Sequence, residues 1–68
     1  MLLKPYHEFV GDLTEVKIEE GEIKFLFSIN KQVEIPQSAF SKDELKNLEG
    51  RRIGIINYGN GYKLRKIK

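Results

Sequence analysis

The chain has no cysteine and only one histidine, His7, among its 68 residues. Disulfide bonds are therefore excluded, and a tetrahedral Cys/His zinc site cannot be assembled from these side chains. A core of this size rarely supplies more than about 3–5 kcal/mol, so small proteins often recruit disulfides, a metal or a partner surface. We expect a single domain over residues 1–68 that relies on good packing or self-association and holds no cofactor.

Long apolar runs are also missing. The opening stretch MLLKPYHEF has three apolar residues before a lysine and a proline, which is too short for a signal peptide or a membrane span. Together with the lack of cysteine, this favours a cytoplasmic protein with no membrane partner. Its lysine- and glutamate-rich ionic residues and abundant isoleucine are a bias found in hyperthermophilic proteins.

Acidic residues are absent from the end of the chain. Residues 51–68 contain six cations and no acid, whereas residues 1–50 contain ten acids and six lysines, so the two parts carry net charges of +6 and −4. Segregation of this kind informs about binding partners rather than about fold. It indicates a basic surface formed by the last segment.

Alternating apolar residues predict a three-stranded meander. The central strand has apolar side chains at every second position, at Ile23, Phe25, Phe27 and Ile29. A Glu-Glu-Gly turn precedes it, and the Asn-Lys-Gln that follows should place Val33 opposite Ile29 and Ile35 opposite Phe27. Pro36, which lacks a backbone donor, ends the third strand.

The segment FSKDEL predicts the start of a helix. Ser41 is placed to cap it and Glu44 to reach back to the Ser41 amide, while Phe40 and Leu45 occupy the positions of a hydrophobic staple. We expect a two-turn helix over about residues 42–49. It is too short to be stable alone, so its apolar side chains should plug one end of the core.

The ending RRIGIINYGNGYKLRKIK predicts a final hairpin around a three-residue Gly-Asn-Gly loop, with Gly61 in the left-handed conformation. This register places Tyr58 opposite Tyr62 and Ile56 opposite Leu64. Both faces contain apolar pairs, and a slip of one residue would exchange them. The pattern therefore does not determine which face of the hairpin is buried.

The predicted fold is mainly β: a small five-stranded antiparallel barrel with one short helix between strands 3 and 4, which covers the sheet edges by closure. The element order, the mid-strand Gly11 and the plugging helix resemble OB-type barrels, such as cold-shock and one-domain translation-factor proteins, over residues 8–67. The resemblance implies an OB-like fold. An SH3-like or Sm-like barrel is the alternative. SH3-type barrels usually carry only a 3₁₀ turn before the last strand, and Sm-type barrels begin with a helix.

Catalytic motifs are not apparent. No serine has a spacing that suggests pairing with His7, and the Gly-Asn-Gly is no phosphate loop because no helix follows it. We therefore expect that the protein is not an enzyme.

The basic hairpin indicates nucleic acid binding, because cations with interleaved aromatic rings suit the phosphates and unpaired bases of a single strand. We expect RNA or single-stranded DNA to bind with little sequence preference. The outer face of strands 2 and 3, the usual OB ligand surface, lacks an aromatic platform, and the two tyrosines could serve only to stabilise the hairpin. The predicted binding residues are Arg51, Arg52, Tyr58, Tyr62, Lys63, Arg65, Lys66 and Lys68.

A protein-interaction or assembly module is the second hypothesis. The basic end of one copy could meet the acids Glu15, Glu19, Glu20 and Glu22 of the next, giving a homo-oligomer. The chain could also be a small subunit of a larger ribonucleoprotein complex, which would combine the two hypotheses.

Overall fold

The computed structural model describes residues 2–67, which form five β-strands and one short α-helix. The mainly-β class and the predicted element order are confirmed. The elements are β1 (Glu8–Glu19), β2 (Glu22–Phe27), β3 (Lys31–Pro36), a 3₁₀ turn at Gln37–Ala39, α1 (Lys42–Leu45), β4 (Arg52–Asn57) and β5 (Tyr62–Lys66).

The strands form one antiparallel sheet in the order β3-β2-β1-β4-β5. The long central strand β1 has two partners: residues 8–12 pair with β4, and residues 13–19 pair with β2. β3 and β5 are the outer strands, and within residues 2–67 they do not pair with each other. The sheet is therefore not closed.

β1 bends where it passes from one partner to the other. Its register with β2 shifts between Leu13 and Glu15, as at a β-bulge, which increases local twist. Gly11 lies just before the shift, and a Cβ there would be 3.0 Å from Phe27 Cδ1 and 3.1 Å from Phe9 Cε2. The two phenyl rings pack at a centroid distance of 4.7 Å. A glycine at this position therefore gives the rings room to meet over β1.

The core lies on one side of the bent sheet and is covered at one end by the α1 segment. Alternate residues of β1 to β4 point into it, as the period of two requires. On β4 the buried face carries Ile53 and Ile55, which resolves the question that the sequence pattern left open. The buried apolar residues are Leu13, Ile23, Phe25, Phe27, Val33, Ile35, Phe40, Leu48, Ile53 and Ile55.

The β2–β3 turn comes earlier than predicted. Val33 lies opposite Phe25, and Ile35 lies opposite Ile23. The predicted pairs of Val33 with Ile29 and of Ile35 with Phe27 were therefore wrong. Asn30 has a φ of 60°, which asparagine tolerates better than most residues, and it turns the chain just before β3. As a result Ile29 lies in the turn and is 66% exposed.

The predicted helix start is confirmed, but the predicted helix length was wrong. The Glu44 N–H donates to Ser41 Oγ at 3.2 Å, and the Ser41 N–H donates to Glu44 Oε1 at 2.9 Å, which completes a capping box. The helix ends at Leu45 after one turn, because the chain becomes extended and Asn47 then adopts a φ of 62°. This early exit allows Leu48 to enter the core, where it is 2% exposed.

The predicted register of the last hairpin was wrong by one residue. Asn57, rather than Tyr58, lies opposite Tyr62, and a four-residue loop is closed by the Tyr58 N–H donating to the Gly61 C=O at 2.8 Å. The left-handed glycine is Gly59, with a φ of 96°, and not Gly61.

The buried side chain of Asn57 gives the physical reason for this register. Its Oδ1 accepts from the Gly59 N–H at 2.7 Å, and its Nδ2 donates to the Leu3 C=O at 2.6 Å. Loss of these bonds would leave the buried amide and the Leu3 carbonyl without partners, which is costly in a buried site. The sequence pattern treated position 57 as an ordinary polar residue.

We predict that Gly11→Ala lowers the free energy of unfolding by about 1–3 kcal/mol, because the added methyl group forces the Phe9 and Phe27 rings apart. Urea denaturation measures the difference. Gly61→Ala is the matched control, since a Cβ there has no atom within 4 Å, and it should change stability by no more than about 1 kcal/mol. Equal unfolding midpoints for the two variants would contradict the role of Gly11.

Candidate nucleic-acid interface

The outer face of the β4–β5 hairpin contains acids as well as cations, because β1 lies beside β4. Three rows of side chains cross this face from β1 through β4 toward β5. They are Glu8, Ile56 and Lys63; Val10, Gly54 and Arg65; and Asp12 with Arg52. The basic segment is thus brought next to acids that are about 40 residues or more away in sequence.

Arg65 and Glu8 form a two-pronged ion pair across this face. Arg65 Nε donates to Glu8 Oε2 at 2.7 Å, and Arg65 Nη2 donates to Glu8 Oε1 at 3.1 Å. The pair passes over Gly54, where a Cβ would lie 2.5 Å from Glu8 Oε2. The hydrogen bond from Arg65, helped by the arginine's charge and opposed by desolvation, lowers the pKa of Glu8.

Arg52 also has an acidic neighbour on β1. Its Nη1 lies 3.3 Å from Asp12 Oδ1, and both side chains are half exposed or more. Surface ion pairs of this kind contribute little to stability, but they occupy the arginine. Two of the predicted phosphate contacts, Arg52 and Arg65, are therefore already paired with carboxylates.

Three other predicted cations are exposed and unpaired. Arg51 precedes β4, while Lys63 and Lys66 lie on β5, and none of them makes an ion pair or side-chain hydrogen bond with another residue in the 2–67 range. Lys66 lies opposite Ile53 and therefore belongs to the inner side, at the open edge of the sheet. Lys68, the remaining predicted contact, lies outside the described residues.

The two predicted stacking residues occupy different environments. Tyr58 lies in the hairpin loop and is 42% exposed, whereas Tyr62 is half-buried and packs against the core. Their rings do not contact each other in the described part of the chain. The register explains this separation, because Asn57 takes the place opposite Tyr62 that was predicted for Tyr58.

A third tyrosine, Tyr6, lies at the same hairpin loop and was missed in the sequence. Its side chain is 82% exposed, and its hydroxyl would be 3.2 Å from a Cβ built on Gly59. The Tyr6 N–H donates to the Asn57 C=O at 2.6 Å, which fixes the segment against the end of β4. The loop therefore presents the exposed rings of Tyr6 and Tyr58.

The OB-like strand order predicted from the sequence could have revealed that Tyr6, Glu8 and Asp12 lie beside the last hairpin. An OB-like strand order pairs the first strand with the fourth, and that pairing places the residues before and within β1 beside the last hairpin. The contributions of Tyr6, Glu8 and Asp12 to the surface follow from that adjacency, whereas charges counted along the sequence do not reveal it.

A groove runs between α1 and the open edge of β5, beside the unpaired lysines. It has a volume of about 350 Å³, and its lining includes the apolar side chains of Phe40, Leu48 and Leu64. Glu44, Lys63 and Lys66 add charged groups to the lining. The arrangement suits a ligand with an apolar or planar part and a negative charge.

The opposite half of the sheet has a different character. The outer face of β2 and β3 combines with that of β1 to give a surface with more acids than cations and with no aromatic ring. Its residues are Glu15, Lys17, Glu19, Glu22, Lys24, Leu26, Gln32 and Glu34. A polyanion is therefore not expected to bind this face.

The described residues contain neither a metal-binding cluster nor an unsatisfied buried polar side chain. Within residues 2–67 there is no group of three or more His, Cys, Asp or Glu side chains able to hold a metal ion. In the same range no buried side-chain nitrogen or oxygen lacks a hydrogen-bond partner. No helix of the described chain is long and apolar enough to cross a membrane.

Comparisons of the chain with protein-family models, with curated proteins and with solved structures gave no match.

We predict that Arg65→Gln raises the pKa of the Glu8 carboxyl toward its ordinary value, because the variant loses the charged donor that favours the carboxylate. A carboxyl-detected NMR titration measures this pKa. In the native chain the pair persists as pH falls through the usual glutamate range and is lost only at the lowered pKa of Glu8. Arg51→Gln, which removes a cation outside the pair, should leave the Glu8 titration unchanged; an equal shift in both variants would contradict the assignment.

Proposed function

We propose that the chain is a small nucleic-acid-binding protein whose sheet is a partly open OB-like barrel. It binds RNA or single-stranded DNA, with little sequence preference, through the β4–β5 hairpin. The observation that carries the proposal is that one hairpin presents unpaired cations along its strands and exposed tyrosines at its loop, while the acids beside it already have arginine partners.

The strand order supports the OB-like part of the proposal. β1 pairs with both β2 and β4, and the only α-helix of the described chain lies between β3 and β4, followed by two strands. SH3-like barrels instead usually have their 3₁₀ turn before the last strand. The short α1 segment and Phe40 fill the end of the core, as the helix of an OB-type barrel does.

Charge supports the location of the site. Arg51, Lys63 and Lys66 have no acidic partner in residues 2–67, so they are available to phosphates without breaking an internal pair. The acids that would repel a polyanion on this face, Glu8 and Asp12, are screened by Arg65 and Arg52. In this arrangement the paired arginines lower the repulsion, and the unpaired cations supply the attraction.

The aromatic groups support a preference for single strands. Stacking of an unpaired base on an exposed ring contributes about 1–3 kcal/mol and tolerates any sequence, because every base has a planar face. Tyr58 and Tyr6 at the loop are the exposed rings, and Tyr62 offers one edge in the groove beside β5. Arg52 and Arg65 lie within the proposed site but keep their carboxylate partners, which leaves Arg51, Lys63 and Lys66 as its phosphate contacts among residues 2–67.

The same observations favour a binding protein over an enzyme. Glu8 has a lowered pKa, which keeps the carboxylate ionised, and it is engaged by Arg65 rather than free to transfer a proton. The lack of cysteine fits a reducing compartment, and we propose a cytoplasmic location.

We predict that binding of a labelled single-stranded RNA weakens with salt, with a slope of log K against log salt of about −2 for three phosphate contacts. Lys63→Gln combined with Lys66→Gln should reduce the slope to about −0.7, because one of the three unpaired cations remains. Fluorescence anisotropy at several salt concentrations measures it. Lys17→Gln with Lys31→Gln, on the other half of the sheet, is the control and should keep the native slope; loss of slope in both double variants would refute a hairpin site.

We predict that Tyr58→Ala weakens single-strand binding by about 1 kcal/mol or more, which is about fivefold, and that Tyr6→Ala has a smaller effect in the same direction. Duplex binding should change little, because paired bases are not free to stack on the rings. Ile29→Ala is the control, since Ile29 is an exposed apolar side chain at a different turn. Equal losses for single-stranded and duplex ligands would remove stacking from the mechanism.

A further inference from the structure

The outer edge of β5 carries unpaired backbone groups. The Asn57 N–H donates to the His7 C=O at 3.0 Å, so Asn57 directs its backbone groups toward β1 and the opposite residue, Tyr62, directs its own away from β4. Because these directions alternate along a strand, Leu64 and Lys66 also point outward. The described residues supply no hydrogen-bond partner to these outward backbone groups.

A second open edge lies on the far half of β1, beyond the end of β4. The Val16 N–H donates to Glu49 Oε2 at 2.9 Å, so Val16 faces away from β2, and Ile18 faces the same way. The backbone groups of Ile18 have no further partner among residues 2–67, and its side chain is 40% exposed. This segment is therefore a strand edge that Glu49 covers only at Val16, with the apolar side chain of Ile18 beyond it.

The third edge of the sheet is different. β3 is bridged in parallel by Leu2, which pairs opposite Glu34. The chain thus covers part of this edge itself, whereas the β1 and β5 edges are left open in the described structure.

The two open edges carry opposite charge. Residues 15–22 contain four glutamates and one lysine, a net −3, and residues 62–67 contain two lysines and one arginine, a net +3; the Lys24–Glu19 and Arg65–Glu8 ion pairs reduce these charges to −2 and +2. Like charges oppose a symmetric pairing of β5 with β5, while the β1 edge and the β5 edge attract each other. Within residues 2–67 of one molecule β1 and β5 are not paired, and β4 lies between them in the sheet.

Apolar side chains accompany both edges. Beside β1 a groove of about 440 Å³ is lined by the apolar side chains of Val16, Ile18 and Leu45, together with the polar side chains of Lys42, Lys46, Asn47 and Glu49. Beside β5 the groove of about 350 Å³ leaves part of Leu64 exposed. An added strand on either edge would cover these side chains while completing the backbone hydrogen bonds.

We propose that a second copy of this chain occupies the edge, with β5 of one copy pairing with the far half of β1 of the next. The contact is heterologous, because each copy uses a different surface on its two sides, so it continues as a chain or closes as a ring. The proposed contact between copies uses backbone groups of β5 that the proposed nucleic acid site does not need. The proposal of self-association therefore does not depend on nucleic acid binding.

The first test is the mass of the native chain by sedimentation at low salt, from about 10 μM to 1 mM. The mass should rise from the 7.9 kDa monomer to at least twice that value, and high salt should reduce it. Leu64→Pro removes one outward N–H without removing a bond to β4, so it should hold the chain at the monomer mass. Leu64→Ala is the matched control: it loses the same side-chain contacts but keeps the N–H, and it should still associate.

Charge reversal provides a second test that does not depend on a proline. Lys63→Glu with Lys66→Glu makes the β5 edge acidic, and Glu15→Lys with Glu19→Lys makes the β1 edge basic. Each double variant alone should stay monomeric, because its two edges then repel each other. An equimolar mixture should associate, because every contact between unlike variants again joins opposite charges.

Three outcomes would overturn the proposal. One is a constant monomer mass for the native chain up to 1 mM. Another is association that Leu64→Pro and Leu64→Ala retain equally, which would place the contact on another surface. The third is protection of the Leu64 and Lys66 amides from hydrogen exchange by added single-stranded RNA but not by increased protein concentration, which would assign the edge to nucleic acid.

Discussion

The architecture depends on one strand having two partners. β1 pairs with β4 over its first half and with β2 over its second half, and the bulge between Leu13 and Glu15 turns one half relative to the other. Without that bend, the two halves of the sheet could not enclose a core in a chain of 68 residues. Gly11 is needed for the same bend, because the Phe9 and Phe27 rings pack against each other over β1 in the space that a Cβ at position 11 would occupy.

The position of β1 also determines the charge of the proposed binding surface. Counted along the sequence, the last segment is purely basic; in the folded chain Glu8 and Asp12 lie among its arginines. The surface therefore contains two kinds of cation: those paired with a carboxylate of the same chain, and those without such a partner among the described residues. Arg65, with two hydrogen bonds to one carboxylate, would lose more on turning to a phosphate than Lys63 would. The attraction for a polyanion is consequently weaker and more local than a net +6 suggests.

Sequence patterns predicted the elements well and their pairings less well. The capping box at Ser41 and Glu44 was predictable because it depends on four neighbouring residues. The helix end was not, because it depends on Leu48 reaching a core built by distant strands. The hairpin register failed for a related reason: Asn57 is fixed by hydrogen bonds to Leu3 and His7, which no local pattern contains. The same distant contacts bring Tyr6 to the hairpin loop. This part of the candidate site therefore could not be predicted from local sequence patterns.

The small size of the chain connects the two proposals. In residues 2–67 a core of ten buried apolar residues leaves the sheet open at two edges, and open edges are normally protected by charge, by a covering segment or by a partner. β3 has its covering segment in Leu2, and the Val16 N–H has the Glu49 carboxylate. β5 is flanked by the unpaired Lys63 and Lys66, whose charge opposes pairing with another basic strand. In the two proposals the same lysines therefore protect the edge against identical strands and attract an acidic strand or a phosphate backbone.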